Sequence, residues 1–379
     1  MADKRSLLIL SLSDISQDAR VLKQVALFKD DWYVITCGYG PKPPGAARHI
    51  EIPPEEISMR MDGRLITLKQ YRLVYWTMSS VRAMRRLTAP LRGKIDVILA
   101  DEIETVPVAL SLHPKRGIHA DLHEYTPSLY ENLPLWDRRI KPFYEWLTRT
   151  YAVRANSWSS PSEGVSRKYE EMFGFLPVTV TNATPQQDLV PTEVSTPIRM
   201  VHHGGAQRGR RAEVMIEAVR KSSTDLTFDL YLTGVDPEYR EELRTLVEGD
   251  PKIRVHDAVP YEKLIETINA YDLGIHILPP LTFNNTWALP NKLFDFVQAR
   301  LGQITGPTAE MAELVSGHEI GAVTGGYEVE DIVPILDALT VEQVSEWKKN
   351  AHKSAHALSS EVEVPKWREA VEEIWATGE

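Results

Sequence analysis

The sequence predicts an α/β protein built from two doubly wound parallel sheets with helices on both faces. Three observations carry this. Short apolar or β-branched runs alternate with amphipathic helical patterns, a proline-bearing stretch without apolar period interrupts them near the middle, and the same plan then repeats. A chain of 379 residues is long enough for two cores. Residues 1–184 are read as an N-terminal Rossmann-like domain, 184–197 (three prolines) as a linker, 198–358 as a second such domain, and 359–379 as a C-terminal helical segment.

In the first half the strand-like runs are LLILSLS, WYVITCGY, IDVILAD, IHADLH and PVTVTNA, and the helical ones DARVLKQVALF, RLVYWTMSSVRAMRRL and YEWLTRTYAVRA. The second half offers IRMVHHGG, TFDLYLTGV, KIRVHDAVP, LGIHIL, GQITGP and IGAVTGG as strands, separated by helices such as RAEVMIEAVRK and EKLIETINAY. Strand, helix, strand at this spacing requires parallel pairing. In the last segment Trp367, Val371 and Trp375 recur every four residues, the mark of one buried helix face.

A net charge of −10 and a pI near 5.7 exclude a general nucleic-acid binder, which needs a positive field over its contact surface. The single cysteine, Cys37, rules out an internal disulfide and suits a reducing, cytoplasmic setting. No run is long and apolar enough to span a membrane, and the N-terminus lacks a secretory apolar core. Between Gly63 and Ile95, however, eight Lys/Arg occur with no acidic residue, and Tyr71, Tyr75 and Trp76 lie among them. This predicts peripheral contact of the N-terminal domain with an anionic membrane surface.

Chemistry concentrates in the stretch NNTWALPNKLFDFVQARLGQITGP, residues 284–307. Pro290 suits a first helical turn, apolar residues continue it at Leu293, Phe294, Phe296, Val297 and Leu301, and Gly302 is placed to end it. A helix start offers free N–H groups and the positive end of a dipole to an anion. Lys292 adds a cation, and Asp295, one turn on, can accept from a sugar diol. Phosphate plus diol suggests a nucleotide. A second anion seat is read in MVHHGGAQRGRRAEV, where Gly204 and Gly205 allow close backbone approach before Arg208, Arg210 and Arg211.

The run PNKLFDF, followed by a small-residue turn, a strand and GPTAEMAELV, resembles the donor-site segment of family-4 retaining glycosyltransferases of the GT-B fold, and further words resemble that family along most of the chain. The resemblance implies two Rossmann-like domains facing across a cleft, with the C-terminal helix crossing back to the N-terminal domain. It implies transfer of a hexosyl group, with retention and without a metal or other cofactor, from a UDP- or GDP-sugar to an acceptor hydroxyl on a carbohydrate, lipid-linked or small molecule. No metal-ligand spacing stands out. Cell-envelope polysaccharide or glycolipid synthesis at the inner membrane face is the setting such enzymes suggest.

Residue by residue, DARVLK matches the family's opening words with Ala19 in place of proline, which makes Arg20 a candidate contact for donor phosphate or acceptor. HADLHE resembles the acceptor-domain words D-x-H-E, implying His123 and Glu124 as catalytic residues. Tyr125, Tyr130, Leu133 and Trp136 then frame an acceptor or fill a core. Arg210 falls where the family has a phosphate lysine, with Gly205 at its arginine position and Arg208 or Arg211 able to supply the lost contact. Asn291, Lys292, Leu293 and Asp295 are implied donor-site residues, and Val259 a backbone contact to the base. Trp287 departs from the pattern at the first of two acidic positions, so Asn284, Asn285 and Thr286 are the alternatives for reading the sugar. That departure keeps two other readings open: a sugar-nucleotide epimerase of the same fold, and a non-catalytic sugar-nucleotide-binding subunit.

Overall fold

The computed structural model describes residues 4–234 and 236–378. Met1 to Asp3 of the N-terminal reading, Val235 at the end of the expected TFDLYLTGV strand, and Glu379 lie outside them. Two compact units are present: residues 1–181 with 282–284 and 364–379, and residues 182–281 with 285–363.

Unit one holds a seven-stranded sheet of order β3-β2-β1-β4-β5-β6-β7. Its strands are β1 (Ser6–Asp14), β2 (Tyr33–Tyr39), β3 (Arg48–Glu51), β4 (Val97–Asp101), β5 (Gly117–Asp121), β6 (Ser157–Ser160) and β7 (Val178–Thr179). Every pairing is parallel. Leu7, Ile9, Val34, Val97 and Leu99 are buried from these strands against Val21, Val25 and Phe28 of the helix Ala19–Phe28. Burying such side chains contributes roughly 1.5–3 kcal/mol each, an upper estimate for a chain already compact when unfolded. β3 and β6 escape the sequence reading because RHIE and SWSS are four residues long and largely polar. One helix expected over RLVYWTMSSVRAMRRL is two, Tyr71–Thr77 and Ser79–Thr88, parted where Met78 turns extended at ψ 134° and buries its side chain.

Unit two holds a six-stranded parallel sheet of order β10-β9-β8-β11-β12-β13. The strands are β8 (Ile198–Gly205), β9 (Leu226–Thr233), β10 (Ile253–Asp257), β11 (Leu273–His276), β12 (Gly302–Thr305) and β13 (Gly321–Val323). In both sheets the order reverses beside the first strand, between β1 and β4 and between β8 and β11. Ligands of such sheets gather at the carboxyl ends of the strands there.

Segment 182–197 has no regular secondary structure, yet it is not a free tether. Gln187 N–H donates to Gln298 Oε1 at 3.1 Å, the Ser195 hydroxyl to Asp272 at 2.8 Å, and Lys348 Nζ to the Thr192 hydroxyl at 3.0 Å. The helix Asn291–Gln298 also stops earlier than Gly302 suggested, with Arg300 rather than a glycine in the left-handed region at φ 61°. The buried Arg300 guanidinium offsets that strain by donating to the carbonyls of Val297, Gln298 and Gln187 at 3.1, 2.8 and 2.6 Å.

The C-terminal helix Pro365–Thr377 packs within unit one and buries Trp367, Val371 and Ile374. Trp375 meets Trp32 edge to face, and Arg5 pairs with Glu372.

Candidate functional site

Two polar clusters sit at the strand ends where each sheet reverses. The one in unit two is cationic. Its floor is Gly204, at φ +118°, a conformation that only glycine adopts without strain. A β-carbon added there would lie 2.6 Å from Lys292 Nζ, 2.8 Å from its Cε and 3.9 Å from a terminal nitrogen of Arg210. The ammonium therefore lies across a bare backbone, with the guanidinium beside it.

Lys292 is 7% exposed, and its ammonium has no hydrogen-bond or ion-pair partner among the described residues. Burial, then Arg210, lowers its pKa to about 7, with Asp295 opposing the shift. An ammonium kept from water without a counter-ion is a costly arrangement that an anion would relieve.

Three buried histidines complete this cluster: His202 and His203 from β8, and His276 from β11. His202 Nδ1 donates to the Ile275 carbonyl at 2.8 Å, which fixes its tautomer. Burial, then Lys292, pushes His202 down to about 3 and holds His203 and His276 well below the ordinary range. All three are neutral at physiological pH. Among the described residues His203 Nε2 and His276 Nδ1 make no hydrogen bond, so two buried polar atoms of this cluster are left unsatisfied.

Among the expected donor residues, Asn291 and Lys292 occupy the first two positions of the helix, where no preceding turn accepts their N–H groups. Leu293 differs from expectation. Its side chain fills a small core with Leu278 and Met311, and its N–H already donates to the Pro290 carbonyl at 3.1 Å. Asp295 is 1% exposed, accepts from the Thr184 hydroxyl at 2.6 Å and lies 3.5 Å from His203 Nε2. A ribose would reach that carboxylate by displacing Thr184.

Arg208 and Arg211 are taken elsewhere, each in a two-pronged ion pair, with Glu242 and Glu328 respectively. Arg210 is thus the arginine of this turn that approaches Gly204. Gly205 ends β8 opposite Thr233, and Val259 is half-buried before the helix Tyr261–Ile268. Asn284 belongs to unit one, where its amide exchanges hydrogen bonds with the backbone of Tyr125 at 2.8 and 3.1 Å. Trp287 is half-buried.

Unit one's cluster is acidic and surrounds His123. Nε2 lies 3.2 Å from Asp101 Oδ1 and 3.4 Å from Asp121 Oδ2, and Nδ1 lies 3.4 Å from Glu102 Oε1. Burial alone would lower the imidazole's pKa. Glu102, Asp101 and Asp121 outweigh it and hold His123 protonated well above its ordinary value. Burial conversely raises Asp101 to about 7, with His123 opposing. For Asp121, Arg20 and His123 overcome burial and keep the carboxylate ionised.

Arg20 is a correction. Its Nε and one terminal nitrogen donate to Asp121 at 2.7 Å each, the other terminal nitrogen donates to the Val180 carbonyl at 2.9 Å, and the residue is 7% exposed. It anchors Asp121 rather than facing a ligand. Glu124 has an exposed side chain whose charge helps raise the Glu102 carboxyl, while the carboxylates that touch His123 among the described residues come from Asp101, Glu102 and Asp121. Tyr125 is core, packed edge to face on Tyr169, whereas Tyr130 and Leu133 are exposed and Trp136 stacks on Tyr144.

Asp101 and Glu102 went unread in the sequence. Their signal was the acidic pair closing the buried run VILADE, and Glu102 also carries a left-handed φ of 69°, strain of the kind stored at working sites. Asp101, Asp121 and His123 are close enough to share a cation. Asp121 is nonetheless already bonded by Arg20, Gln24 and Ser159, and the imidazolium itself supplies the positive charge between the carboxylates.

One consequence for unit two is directly testable. Gly204→Ala should strain the left-handed backbone by about 1–3 kcal/mol and drive the Lys292 ammonium from its seat. Denaturation should show the first effect, and titration with a nucleoside diphosphate at least a tenfold weakening. A variant that binds normally would mean that Lys292 does not act from this position.

Among solved structures, the chain is similar to the sucrose-phosphate synthase of Thermosynechococcus elongatus, at 12% identity and TM-score 0.72 over 99% of this chain and 100% of that one. It is also similar to a glycosyltransferase from Rickettsia africae, at 12% identity and TM-score 0.70 over 99% and 100%. A third likeness is to Anabaena HepE in complex with UDP-glucose, at 13% identity and TM-score 0.68 over 97% and 99%. At such identities the likeness is one of fold, the two-sheet GT-B architecture expected from the sequence. No family model and no curated protein matches the chain.

Proposed function

We propose that this protein is a retaining, metal-independent glycosyltransferase that moves a hexosyl group from a UDP- or GDP-sugar to an acceptor hydroxyl, in the synthesis of a cell-envelope polysaccharide or glycolipid. The observation that carries the reading is the unpartnered, buried ammonium of Lys292 at a helix start, beside Arg210 and over bare backbone at Gly204. This is a seat for a diphosphate. The fold shared with nucleotide-sugar enzymes such as HepE, whose structure holds UDP-glucose, supports it.

In this reaction the acceptor oxygen attacks the anomeric carbon, the bond from that carbon to the diphosphate oxygen breaks, and the acceptor's proton passes to the departing phosphate. His123 takes no proton, because it is already an imidazolium. It supplies positive charge beside the reacting sugar as charge develops. Asp295 serves the ribose once Thr184 yields.

Calorimetry with UDP and GDP, followed by nucleotide-release assays with candidate acceptors, tests the reading. Absence of binding by either nucleotide would remove it. An epimerase remains the second reading, because His123 has acidic neighbours, and burial leaves Asp101 able to exchange a proton near pH 7. Sugar-nucleotide incubated in heavy water without acceptor separates the two: an epimerase incorporates deuterium at a ring carbon, whereas a transferase does not. Binding without either activity would identify a partner subunit.

The acceptor domain is proposed to rest on an anionic lipid surface. Tyr75, counted among the interleaved aromatics, is in fact core, with its hydroxyl on the Glu104 carbonyl. The apolar contribution comes instead from Leu68, Leu73, Leu133 and Leu135, all more than half exposed. Arg139 donates to the Gly63 carbonyl and the Thr67 hydroxyl, holding the two leucine-bearing segments together. Beside them a cavity of about 1180 Å³ is lined by Arg60, Arg64 and Arg139, with Ile57 and Leu68 and also the carboxylates of Glu55 and Asp62, so cations outnumber acids there by one. Each cation near such a surface contributes about 1 kcal/mol. Flotation with phosphatidylglycerol vesicles at low salt should carry the protein upward, and Leu68→Glu with Arg64→Glu should abolish this. Protein that stays at the bottom of the gradient refutes the contact.

A further inference from the structure

The hydrogen bonds behind His123 lead from the reactive end of β5 to the C-terminal helix. Trp367 is 1% exposed, and its indole N–H donates to the Ser159 hydroxyl oxygen at 3.0 Å. Ser159 in turn donates to Asp121 Oδ1 at 2.5 Å. The direction is forced. Asp121 is an ionised carboxylate and can only accept, so the one hydroxyl proton of Ser159 is used on it.

Ser159 also lies 2.8 Å from His119 Nε2, while His119 Nδ1 lies 2.8 Å from the Ser157 hydroxyl. With its own proton committed, Ser159 accepts from His119 Nε2–H, and His119 Nδ1 accepts from Ser157. Burial pushes His119 down to about 4, so one ring proton is all it has, in keeping with this tautomer. The serine oxygen therefore accepts two N–H bonds, from Trp367 and His119, and its proton has no orientation left except toward Asp121.

A second contact acts on the same carboxylate. The Arg20 guanidinium lies over the Trp367 ring at 4.7 Å while its fork holds both oxygens of Asp121. Trp367 thus touches two of the three groups that bond Asp121, Ser159 and Arg20 but not Gln24, and Asp121 lies 3.4 Å from His123 Nε2.

We propose that Trp367 is a positioning residue for His123: the C-terminal helix holds Asp121 in place through Ser159 and Arg20, and thereby holds the His123 ring. The proposal rests on the reading of His123 as the group that serves the reacting sugar. It assigns the segment after residue 363 a part in the site rather than in stability alone. The opposing explanation is that Trp367 only fills core space beside Val371 and Ile374.

The experiment is a histidine NMR titration of the full-length protein and of Trp367→Phe and Ser159→Ala. Phenylalanine keeps most of the apolar bulk and loses the N–H donor, and the alanine cuts the relay from the strand side by removing the oxygen that accepts that N–H, with the helix sequence unchanged. Both variants should lower the His123 pKa by at least about half a unit and alter its ring signals, because Asp121 is less firmly held. Turnover, once an acceptor is known, should fall through kcat with the donor KM little changed. If folded Trp367→Phe and Ser159→Ala titrate like the parent, the proposal is wrong, and Trp367 is core alone. Should Trp367→Phe fail to fold, Ser159→Ala decides by itself. A shift of His123 in a protein that binds no nucleotide would leave this coupling standing while removing the proposed function.

Discussion

Lys292→Ala is expected to weaken binding of a nucleoside diphosphate sugar ten- to a hundredfold, since a charge-assisted contact to phosphate contributes roughly 1.5–3 kcal/mol. Fold stability should hold or rise, because the variant removes a buried cation that has no hydrogen-bond or ion-pair partner among the described residues. Calorimetry and denaturation distinguish this from a structural lesion, which would move both measurements the same way. The wild type should also show a pH signature. In the free protein the ammonium, near Arg210, His202, His203 and His276 and with Asp295 opposing the shift, loses its proton at about pH 7.

A bound diphosphate raises that pKa again, so binding above pH 7 takes up a proton. Affinity should then fall as pH rises, approaching about tenfold per unit until the pKa of the complex is reached. A nucleoside diphosphate sugar is the suitable probe, because its diphosphate is esterified at both ends and has no proton to lose near neutrality. The three histidines do not contribute, since burial keeps them neutral throughout this range. In Lys292→Ala the slope should vanish. An unchanged slope in that variant would assign the proton to another group.

His123→Gln should lower kcat by on the order of a hundredfold or more while donor affinity changes little, because a charge that acts on the reacting sugar matters most in the transition state. Stability changes as well, and its pH dependence reports the same electrostatics. The folded-state pKa of His123 is raised above the unfolded value, so its contribution is complete below about pH 6.5 and is lost only as pH climbs through the higher folded value. Removing the cation leaves Asp101, Glu102 and Asp121 facing one another, at a cost of up to about 3–5 kcal/mol at neutral pH. That penalty should shrink in acid, where Asp101 and Glu102 take up protons readily. Urea titrations at pH 5 and 8 measure it. Full turnover in His123→Gln, or nucleotide affinity lost as badly as in Lys292→Ala, would return the residue to a structural role.

How much of this could be read before folding differs from one cluster to the other. The anion seat in unit two was visible because its parts are local: PNK at a helix start and HHGG before a turn carry their dipole, their charge and their bare backbone within a few residues. Alternation of apolar periods likewise determined the two parallel sheets, since a strand buried on both faces and a helix buried on one leave different spacings whatever they pack against. The cluster around His123 could not be read in that way. Arg20 and Asp121 are 101 positions apart, Gln24 and Asp101 77, and Trp367 and Ser159 208. Their meeting depends on strand order, which sets β4 beside β1 and β5 beside β4, and on the return of the last helix to unit one. In the sequence Arg20 therefore stood as a ligand contact and Glu124 as a catalytic residue, while Glu102 passed unnoticed. Burial decided otherwise: a guanidinium shut away from water must take the nearest carboxylate, and the carboxylate that reaches the imidazole is the one its strand end delivers.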